Sequence, residues 1–254
     1  MSTPFPLVYP SLNSPELREL KSKGFTKIPV LSADEVAVAL EILSSSLSGY
    51  VPKDFHFDLL SPQCASTSFG ERLRTTKRWR ILSEEHSHLF LNICGIKRLR
   101  EDFHGFYLAK MTYGELFREE REEVYFRVVR PGERSDIGDF HRDHWFNEIY
   151  TPELAFRSNF KVWLALNCPP GSGLQFIPRQ SDDERTYEVI QTDNGPRPKG
   201  VGSTTSHCIQ PDITAGEAFV FDPFLLHRGS VSKGETNRIS VELCFFHGNS
   251  ASSS

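Results

Sequence analysis

Phe160-Lys161-Val162-Trp163-Leu164-Ala165-Leu166 is a run of apolar, β-branched and aromatic residues that is typical of a short strand. It is one of seven such runs in the second half of the chain, where Gly, Pro, Asn and Asp separate them. The others are 106–111, 124–129, 174–177, 188–191, 218–221 and 239–246. Short strands with turn residues between them favour an antiparallel sandwich over a parallel sheet with crossover helices. We therefore predict a mainly β fold, a double-stranded β-helix (jelly roll).

The first 105 residues have a helical pattern instead. Ser14-Pro15-Glu16 predicts a helix start, with a capping serine and proline at the first helical position, and Gly24 predicts its end. Ser32-Ala33-Asp34-Glu35 predicts a second helix that runs to about Leu47. A third helix is predicted from about Ser83, and the side chains expected to face inward are Leu89, Phe90 and Ile93.

The order of these elements predicts how they assemble. Because the helices precede the strands, we expect them to pack on one outer face of the sandwich. A single domain over residues 1–254 is predicted. It comprises a helical N-terminal elaboration (1–105), a jelly-roll core (106–247) and a disordered serine-rich tail (248–254).

The amino-acid composition limits the classes of partner and the cellular compartment that we predict. The formal net charge is −4, whereas nucleic acids and anionic membranes call for a clustered positive excess, so we predict neither as a partner. Basic residues do cluster at 72–80, either as a solvated face or as a binding edge for an anionic substrate. The five cysteines form no C-x-x-C pair, which indicates a reducing compartment. With no visible signal peptide, the predicted location is the cytoplasm.

Phe140-His141-Arg142-Asp143 contains the first candidate ligands. On a strand, residues two apart point the same way, so His141 and Asp143 can hold one ion while Arg142 faces outward. A third ligand must come from elsewhere, and His227 stands at the start of a predicted late strand. Two histidines and one carboxylate form the facial triad of non-haem iron(II) oxygenases and leave three positions open.

An arginine and a serine follow the second histidine. Arg238 comes eleven residues after His227, and Ser240 comes two residues later. A strand beside that of His227 would bring both side chains over the metal pocket. The guanidinium of Arg238 suits the distal carboxylate of 2-oxoglutarate, and Ser240 can add a hydroxyl.

This order of motifs resembles the signature of the iron(II)/2-oxoglutarate-dependent dioxygenase superfamily, and most closely its phytanoyl-CoA dioxygenase-like branch. Further similarities are 161–166, which resembles the strand with a cofactor-side tryptophan, and Gly173-Leu174-Gln175-Phe176-Ile177-Pro178, which resembles the G-x-x-x-F-I-P turn. The resemblance covers about residues 105–247. It implies iron(II), 2-oxoglutarate and dioxygen, and it places Trp163 near 2-oxoglutarate, unless that ring is a core aromatic.

The chain also departs from the family. Arg179-Gln180-Ser181 replaces the glycine-serine-histidine that many members have, and a polar stretch follows to Ser206, as a recognition loop or a disordered excursion. His144 directly follows Asp143, and it is expected to face the opposite side. Arg127 is a candidate contact of the co-substrate. Since Arg127 and Arg130 face opposite ways on a strand, only one enters the barrel, and the register that decides this stays open.

The resemblance implies hydroxylation of an unactivated C–H bond of a small-molecule substrate, with release of succinate and carbon dioxide. The same iron chemistry can also end in desaturation, cyclisation or epimerisation. Halogenation is disfavoured because Asp143 occupies the position that a halide would need. A rival of another class is a non-redox metal-binding jelly roll, a cupin-type isomerase or binding protein, which would have no use for Arg238 and Ser240. Substrate identity and oligomeric state stay open.

Overall fold

The computed structural model describes residues 6–48, 58–63, 82–111, 121–152, 155, 157–178, 186–192, 195–201 and 208–248. The basic cluster at 72–80, nearly all of the predicted disordered tail and parts of the 179–206 stretch lie outside these residues. Among the helices that are described, none is both long enough and apolar enough to cross a membrane.

Helices dominate the described N-terminal part of the chain. They are α1 (Ser14–Lys23), α2 (Ala33–Ser48), α3 (Glu84–Leu91), α4 (Cys94–Asp102) and, later, α5 (Asp143–Tyr150). The predicted end of α1 is confirmed, because Gly24 adopts a φ of 85° and donates its N–H to the carbonyl of Leu20. The predicted cap is wrong. Asn13 is the N-cap and Ser14 is already helical, so proline follows the first helical residue.

Glu35 links α2 to a helix that the sequence did not predict. It forms the expected capping box, in which Ser32 N–H donates to Glu35 Oε2 at 2.8 Å and Glu35 N–H donates to Ser32 Oγ at 3.3 Å. Its other oxygen accepts from the N–H of Gly95, at the start of α4, at 2.8 Å. A Cβ on Gly95 would lie 2.1 Å from the carbonyl oxygen of Val30. Close packing therefore requires a glycine there, and this glycine masks the helical pattern of α4.

The third helix begins as predicted, but one of its inward-facing residues was assigned wrongly. Ser83 caps α3, since its side chain accepts from the N–H of His86. Phe90 and Ile93 are buried, whereas Leu89 is 48% exposed. The buried residues within α3 are Ser87, Phe90 and Leu91, which lie three and four residues apart on one side of the helix, and Leu89 falls outside that stripe.

Strands account for most of the remaining described residues. They are β1 (Phe25–Pro29), β2 (Phe106–Leu108), β3 (Lys110–Met111), β4 (Arg121–Glu122), β5 (Tyr125–Val129), β6 (Asn159–Asn167), β7 (Leu174–Ile177), β8 (Tyr187–Thr192), β9 (Gly195–Gly200), β10 (Glu217–Phe221), β11 (Leu226–Gly229) and β12 (Arg238–His247). Each of the seven predicted runs contains a strand. β9 was not predicted, because its sequence, Gly-Pro-Arg-Pro-Lys-Gly, lacks the residue types that favour strands.

These strands form two principal antiparallel sheets. The larger has the order β1-β10-β6-β12-β2, and β5 also pairs with β12, whose ten residues run beside β6 on one side and beside β5 and then β2 on the other. The smaller consists of β7 and β11, with further bridges at His141 and Ile209. β8 pairs with β9, and β3 with β4. The prediction of a mainly β architecture is confirmed.

The two faces of the large sheet have different environments. On β6, Val162 and Leu164 point into the main apolar core, which also contains buried residues of α1, α2, α3 and α4. The helices therefore cover one face of this sheet, as predicted. Trp163 and Ala165 point the other way, into a second cluster that includes Phe176 of the small sheet. This second face carries the candidate site.

Candidate metal centre

A closed hydrogen-bonded pair brings the two candidate histidines together. His141, just before α5, and His227, on β11, each donate a backbone N–H to the other's carbonyl at 3.0 Å. In such an antiparallel pair the two side chains lie on the same face. Their imidazole centroids are accordingly 4.6 Å apart.

Both imidazoles are fixed in the tautomer that a metal ligand needs. Nδ1 of His141 lies 2.8 Å from the carbonyl oxygen of Asp139, and Nδ1 of His227 lies 2.9 Å from that of Leu225. Because a carbonyl oxygen only accepts, each Nδ1 carries the proton, and Nε2 of the neutral ring keeps a free lone pair. Such a hydrogen bond at the second nitrogen is typical of histidines that bind metals.

Asp143 reaches the same place, but not by the predicted route. The H-x-D motif is not a continuous strand, since His141 forms only an isolated bridge and Asp143 is the first residue of α5. Arg142 between them is extended, with φ of −110° and ψ of 138°. One extended residue is enough to point its two neighbours the same way, so His141 and Asp143 still converge.

The three predicted ligands form a compact group. One candidate ligand atom from each of His141, Asp143 and His227 lies within 4.8 Å of the other two. Burial and the neighbouring His227 lower the pKa of His141 to about 3, which keeps it neutral. Burial opposes ionisation of Asp143, but Lys161 and the two histidines outweigh it and lower its pKa. The set therefore offers two imidazole nitrogens and one carboxylate, the donor combination of a non-haem iron(II) site.

Aromatic rings shield the two histidines. The Phe221 ring lies 4.5 Å from the imidazole of His227, and the Phe146 ring meets His141 edge-on at 5.2 Å. Phe146 also stacks at 6.5 Å on Tyr150, whose hydroxyl donates to the carbonyl of Pro196 on β9. In the described part of the 179–206 stretch, β8 and β9 thus form an antiparallel pair that α5 contacts beside the metal ligands.

Arg238 lies on the inner face of β12, as predicted, and is 1% exposed. Its Nη1 donates to the carbonyls of Ser172 and Ser230 at 2.7 and 2.8 Å, and more weakly to that of Gly173 at 3.4 Å. These neutral acceptors fix the guanidinium without neutralising it. Burial lowers its pKa to about 10, which still leaves it charged at neutral pH.

The surroundings of Arg238 fit a carboxylate. Arg238 Nε and the Ser240 hydroxyl are both buried without a hydrogen-bond partner among the described residues. Trp163 packs below them, with the Arg238 guanidinium 5.7 Å from its ring centroid, and is itself stacked on Phe219. Trp163 is therefore a core aromatic that also faces the candidate anchor. Buried donors without partners are costly, and an anionic ligand would satisfy them.

The open question of Arg127 and Arg130 has an answer in the register of β5. Arg127 lies opposite Ser240 on β12, and its Nε is 2.9 Å from Glu242 Oε1 on the site face. Arg130 faces away and forms an ion pair with Asp136 at 3.0 Å. Arg127 is thus the arginine that enters the site, where the charge of Glu242 raises its pKa.

Two further charged residues lie on this face, Glu242, which the sequence analysis missed, and Lys161, which it considered only as an alternative anchor for the carboxylate. Glu242 continues the alternation of Arg238 and Ser240 along β12, so the period of two could have identified it. Lys161 precedes Trp163 by two residues on β6, and its Nζ is 4.0 Å from Asp143 Oδ2. The period of two places Glu242 on the face of Arg238 and Lys161 on the face of Trp163. It does not show which charged groups lie next to either residue.

His144 takes no part in the group, in agreement with its predicted orientation. Its Nε2 lies 3.3 Å from Glu148 Oε1, and its ring lies 4.6 Å from Phe224. Burial lowers its pKa. Among the described residues, His86, His88, His104 and His247 also lie outside the metal-binding group.

Comparisons with known proteins identify the fold. No protein-family model and no curated protein matches the chain. EvdO2 from Micromonospora carbonacea var. aurantiaca, whose structure is also known with 2-oxoglutarate, is similar with a TM-score of 0.53 at 15% identity, over 98% of this chain and 96% of EvdO2. SnoK, a non-heme alpha ketoglutarate dependent carbocyclase from nogalamycin biosynthesis, has a TM-score of 0.51 at 15% identity, over 93% of this chain and 84% of SnoK.

The epimerase SnoN from nogalamycin biosynthesis, solved with Fe3+ and alpha ketoglutarate, has a TM-score of 0.50 at 15% identity, over 92% of this chain and 82% of SnoN. The chain thus shares the overall fold of these three proteins. At such identities the likeness covers the architecture, and the chemistry must be argued from the residues of the site.

Proposed function

We propose that the protein is a non-haem iron(II) and 2-oxoglutarate-dependent oxygenase that hydroxylates an unactivated C–H bond of a small-molecule substrate. The observation that carries the proposal is the coincidence of two features on one face of the large sheet. His141, Asp143 and His227 converge within 4.8 Å, and the charged, buried Arg238 lies on the same face, where its Nε has no hydrogen-bond partner among the described residues. A metal site alone would not call for such an arginine.

The three ligands fit iron(II) by donor type and by number. Two imidazole nitrogens and one carboxylate oxygen suit a divalent first-row metal, and three protein ligands leave three positions of an octahedron open. A bidentate keto acid and dioxygen would use these three positions. The Nδ1 hydrogen bonds of His141 and His227 hold both Nε2 atoms ready, so little reorganisation is needed on binding.

Arg238 and Ser240 would hold the distal carboxylate of 2-oxoglutarate. When bound, iron(II) and 2-oxoglutarate supply the oxidising power for C–H attack by activating dioxygen, with release of succinate and carbon dioxide. The protein's own residues bind, orient and exclude water. Arg238 donates to the carboxylate, Trp163 supports the guanidinium from below, and Phe221 and Phe146 shield the histidines.

The outcome after C–H attack is part of the proposal, and hydroxylation is its simplest form. Cyclisation or epimerisation is the second candidate, because SnoK and SnoN, which share the fold, are a carbocyclase and an epimerase. Against the non-redox alternative stands Arg238, which a cupin-type isomerase or binding protein would not need.

The finer assignments extend the same proposal. We propose a double-stranded β-helix in one domain, with membership of the phytanoyl-CoA dioxygenase-like branch, on the strength of the H-x-D, distal histidine and R-x-S pattern. A cytoplasmic location is supported by the free Cys94, Cys168, Cys208 and Cys244. The proposed partner is a small molecule, not nucleic acid or a membrane.

An anaerobic titration tests the proposal directly. Iron(II) should bind at one per chain, and 2-oxoglutarate should then produce a metal-to-ligand charge-transfer band in the visible range. The non-redox alternative predicts tight zinc binding and no such band after exchange for iron, and that result would overturn the proposal. A substrate panel read by succinate release above the uncoupled background would then identify the class of substrate.

A further inference from the structure

Lys161 lies in an unusual position for a lysine. It is on the inner face of β6, directly between Cys244 of β12 and Phe221 of β10, which packs on His227. Its side chain is only 22% exposed. Burying an ammonium group is costly unless an anion compensates, so its neighbours should explain why a cation stands here.

The carboxylate of a predicted metal ligand lies beside this lysine. Lys161 Nζ lies 4.0 Å from Asp143 Oδ2, and that oxygen is buried without a hydrogen-bond partner among the described residues. Two other acidic residues are near, of which Glu242 forms an ion pair with Arg127 at 2.9 Å and Glu123 acts on Lys161 less strongly than Asp143 does. Lys161 is therefore placed to serve the unsatisfied oxygen of Asp143.

The number of open metal positions makes this contact consequential. A carboxylate can bind a metal through one oxygen or through both. With two histidines, one-oxygen binding leaves three of six octahedral positions free, whereas two-oxygen binding leaves only two. A bidentate keto acid together with dioxygen needs three. Whatever holds the second oxygen of Asp143 therefore protects the reaction.

We infer that Lys161 is a positioning residue that holds the second carboxylate oxygen of Asp143, so that Asp143 binds the metal through one oxygen only. This inference rests on the proposed function, since it assumes a metal at His141, Asp143 and His227. It assigns Lys161 a role that is separate from substrate binding. The short movement that closes 4.0 Å to hydrogen-bond length lies within the reach of a lysine side chain.

The test uses Mn(II), which binds oxygen and nitrogen donors and reports its bound waters through water-proton relaxation. Lys161→Met keeps a side chain of similar length and removes the charge. We expect Mn(II) to bind more tightly, because the variant loses a neighbouring positive charge and leaves Asp143 free to bind through both oxygens. We also expect the number of bound waters to fall from three to two. Lys161→Arg should restore both values towards wild type.

A matched control comes from a surface lysine with a carboxylate partner. Lys27 pairs with Glu217 at 3.0 Å on neighbouring strands of the same sheet, outside the metal-binding group. Lys27→Met should leave Mn(II) affinity and water number unchanged. Thermal unfolding of the metal-free variants checks that all of them are folded.

The outcomes separate the two proposals. Unchanged Mn(II) affinity and water number in Lys161→Met would overturn the role of Lys161 alone. A variant that binds Mn(II) normally but 2-oxoglutarate poorly would also overturn it, because Lys161 would then contact the co-substrate. Failure of the wild-type protein to bind Mn(II) or iron(II) would instead contradict the proposed function itself.

Discussion

The two faces of β6 and β12 belong to the same strands, yet one face is wholly apolar and the other carries charged and polar side chains. Facing the helices, Val162, Leu164, Val241 and Leu243 are fully buried and wholly apolar. Facing the small sheet, alternate positions carry Lys161, Ser240 and Glu242. The difference shows how one pair of strands can supply a hydrophobic core and a reactive site, because successive side chains point to opposite faces.

The two faces also differ in what they contribute, since one stabilises the fold and the other is suited to bind ligands. The apolar face is close-packed, and its side chains gain free energy simply by leaving water. The polar face contains two buried groups with no hydrogen-bond partner among the described residues, Arg238 Nε and the Ser240 hydroxyl, and each costs free energy until a ligand satisfies it. Substitutions on the first face should lower stability, and substitutions on the second should lower ligand binding.

The largest effect is expected at the metal ligands. His141→Ala or Asp143→Ala should abolish iron(II) binding and turnover, because two remaining ligands hold a divalent metal poorly. The metal-free variants should stay folded with an unchanged or slightly higher melting temperature, since functional groups are often held together at some expense of stability. Iron content and thermal unfolding of the metal-free proteins measure the two effects.

His144→Ala is the matched control for the ligand variants. This histidine is next to Asp143 in sequence and buried, but it pairs with Glu148 and lies outside the metal-binding group. It should keep its iron. If His141→Ala melts several degrees lower without metal and still retains iron, His141 is structural and the ligand assignment fails.

A large effect of the opposite kind is expected on the apolar face. Leu164→Ala should lower the free energy of unfolding by about 2–5 kcal/mol, because Leu164 is fully buried and the cavity is not refilled. Denaturant unfolding measures this loss. Iron(II) and 2-oxoglutarate affinities of the folded variant should be unchanged.

Leu164→Met keeps most of the volume and should cost less than about 1.5 kcal/mol. A strong loss of iron affinity in fully folded Leu164→Ala would show that the two faces are coupled and do not contribute separately to stability and to ligand binding.

Much of this division could be predicted from the sequence, because it depends on local patterns. The period of two in 160–166 predicts which residues of β6 share a face, and the H-x-D spacing brings His141 and Asp143 together. The two side chains converge although the predicted strand is not there, because Asp143 begins a helix and only Arg142 needs to be extended. Local geometry was sufficient there.

What the sequence did not show depends on contacts between distant residues. The ion pair of Arg127 with Glu242 requires the register of β5 against β12, and the approach of Lys161 to Asp143 requires the packing of α5 against the large sheet. Neither register nor packing is encoded in a local pattern. The helix α4 was missed for a related reason. Gly95 has a low helix propensity, and a glycine is needed there because the backbone of Val30 leaves no room for a Cβ.

A smaller effect is expected at the carboxylate anchor. Arg238→Gln should weaken 2-oxoglutarate binding roughly 10- to 150-fold, because losing a hydrogen bond to a charged group costs about 1.5–3 kcal/mol. Titration of the charge-transfer band measures this affinity. The carbonyls of Ser172 and Ser230 also lose their donor, so a lower melting temperature is expected as well, and iron binding should persist. An unchanged affinity would assign the carboxylate to Arg127 or Lys161.

Ser240→Ala tests the same contact with the 2-oxoglutarate carboxylate and is the smallest change on this face. The hydroxyl is buried and has no hydrogen-bond partner in the part of the chain that the structure describes, so its removal should not destabilise the metal-free protein. If it donates to the 2-oxoglutarate carboxylate, its loss should weaken binding by about 1.5 kcal/mol, or roughly 10-fold, the lower end of the range for a hydrogen bond to a charged group, because Ser240→Ala removes no charge and Arg238→Gln does. The same band titration measures it, beside unfolding of the metal-free variant. A loss of stability with unchanged 2-oxoglutarate affinity would show that Ser240 has a structural role and does not contact the co-substrate. Arg238 would then hold the carboxylate without it.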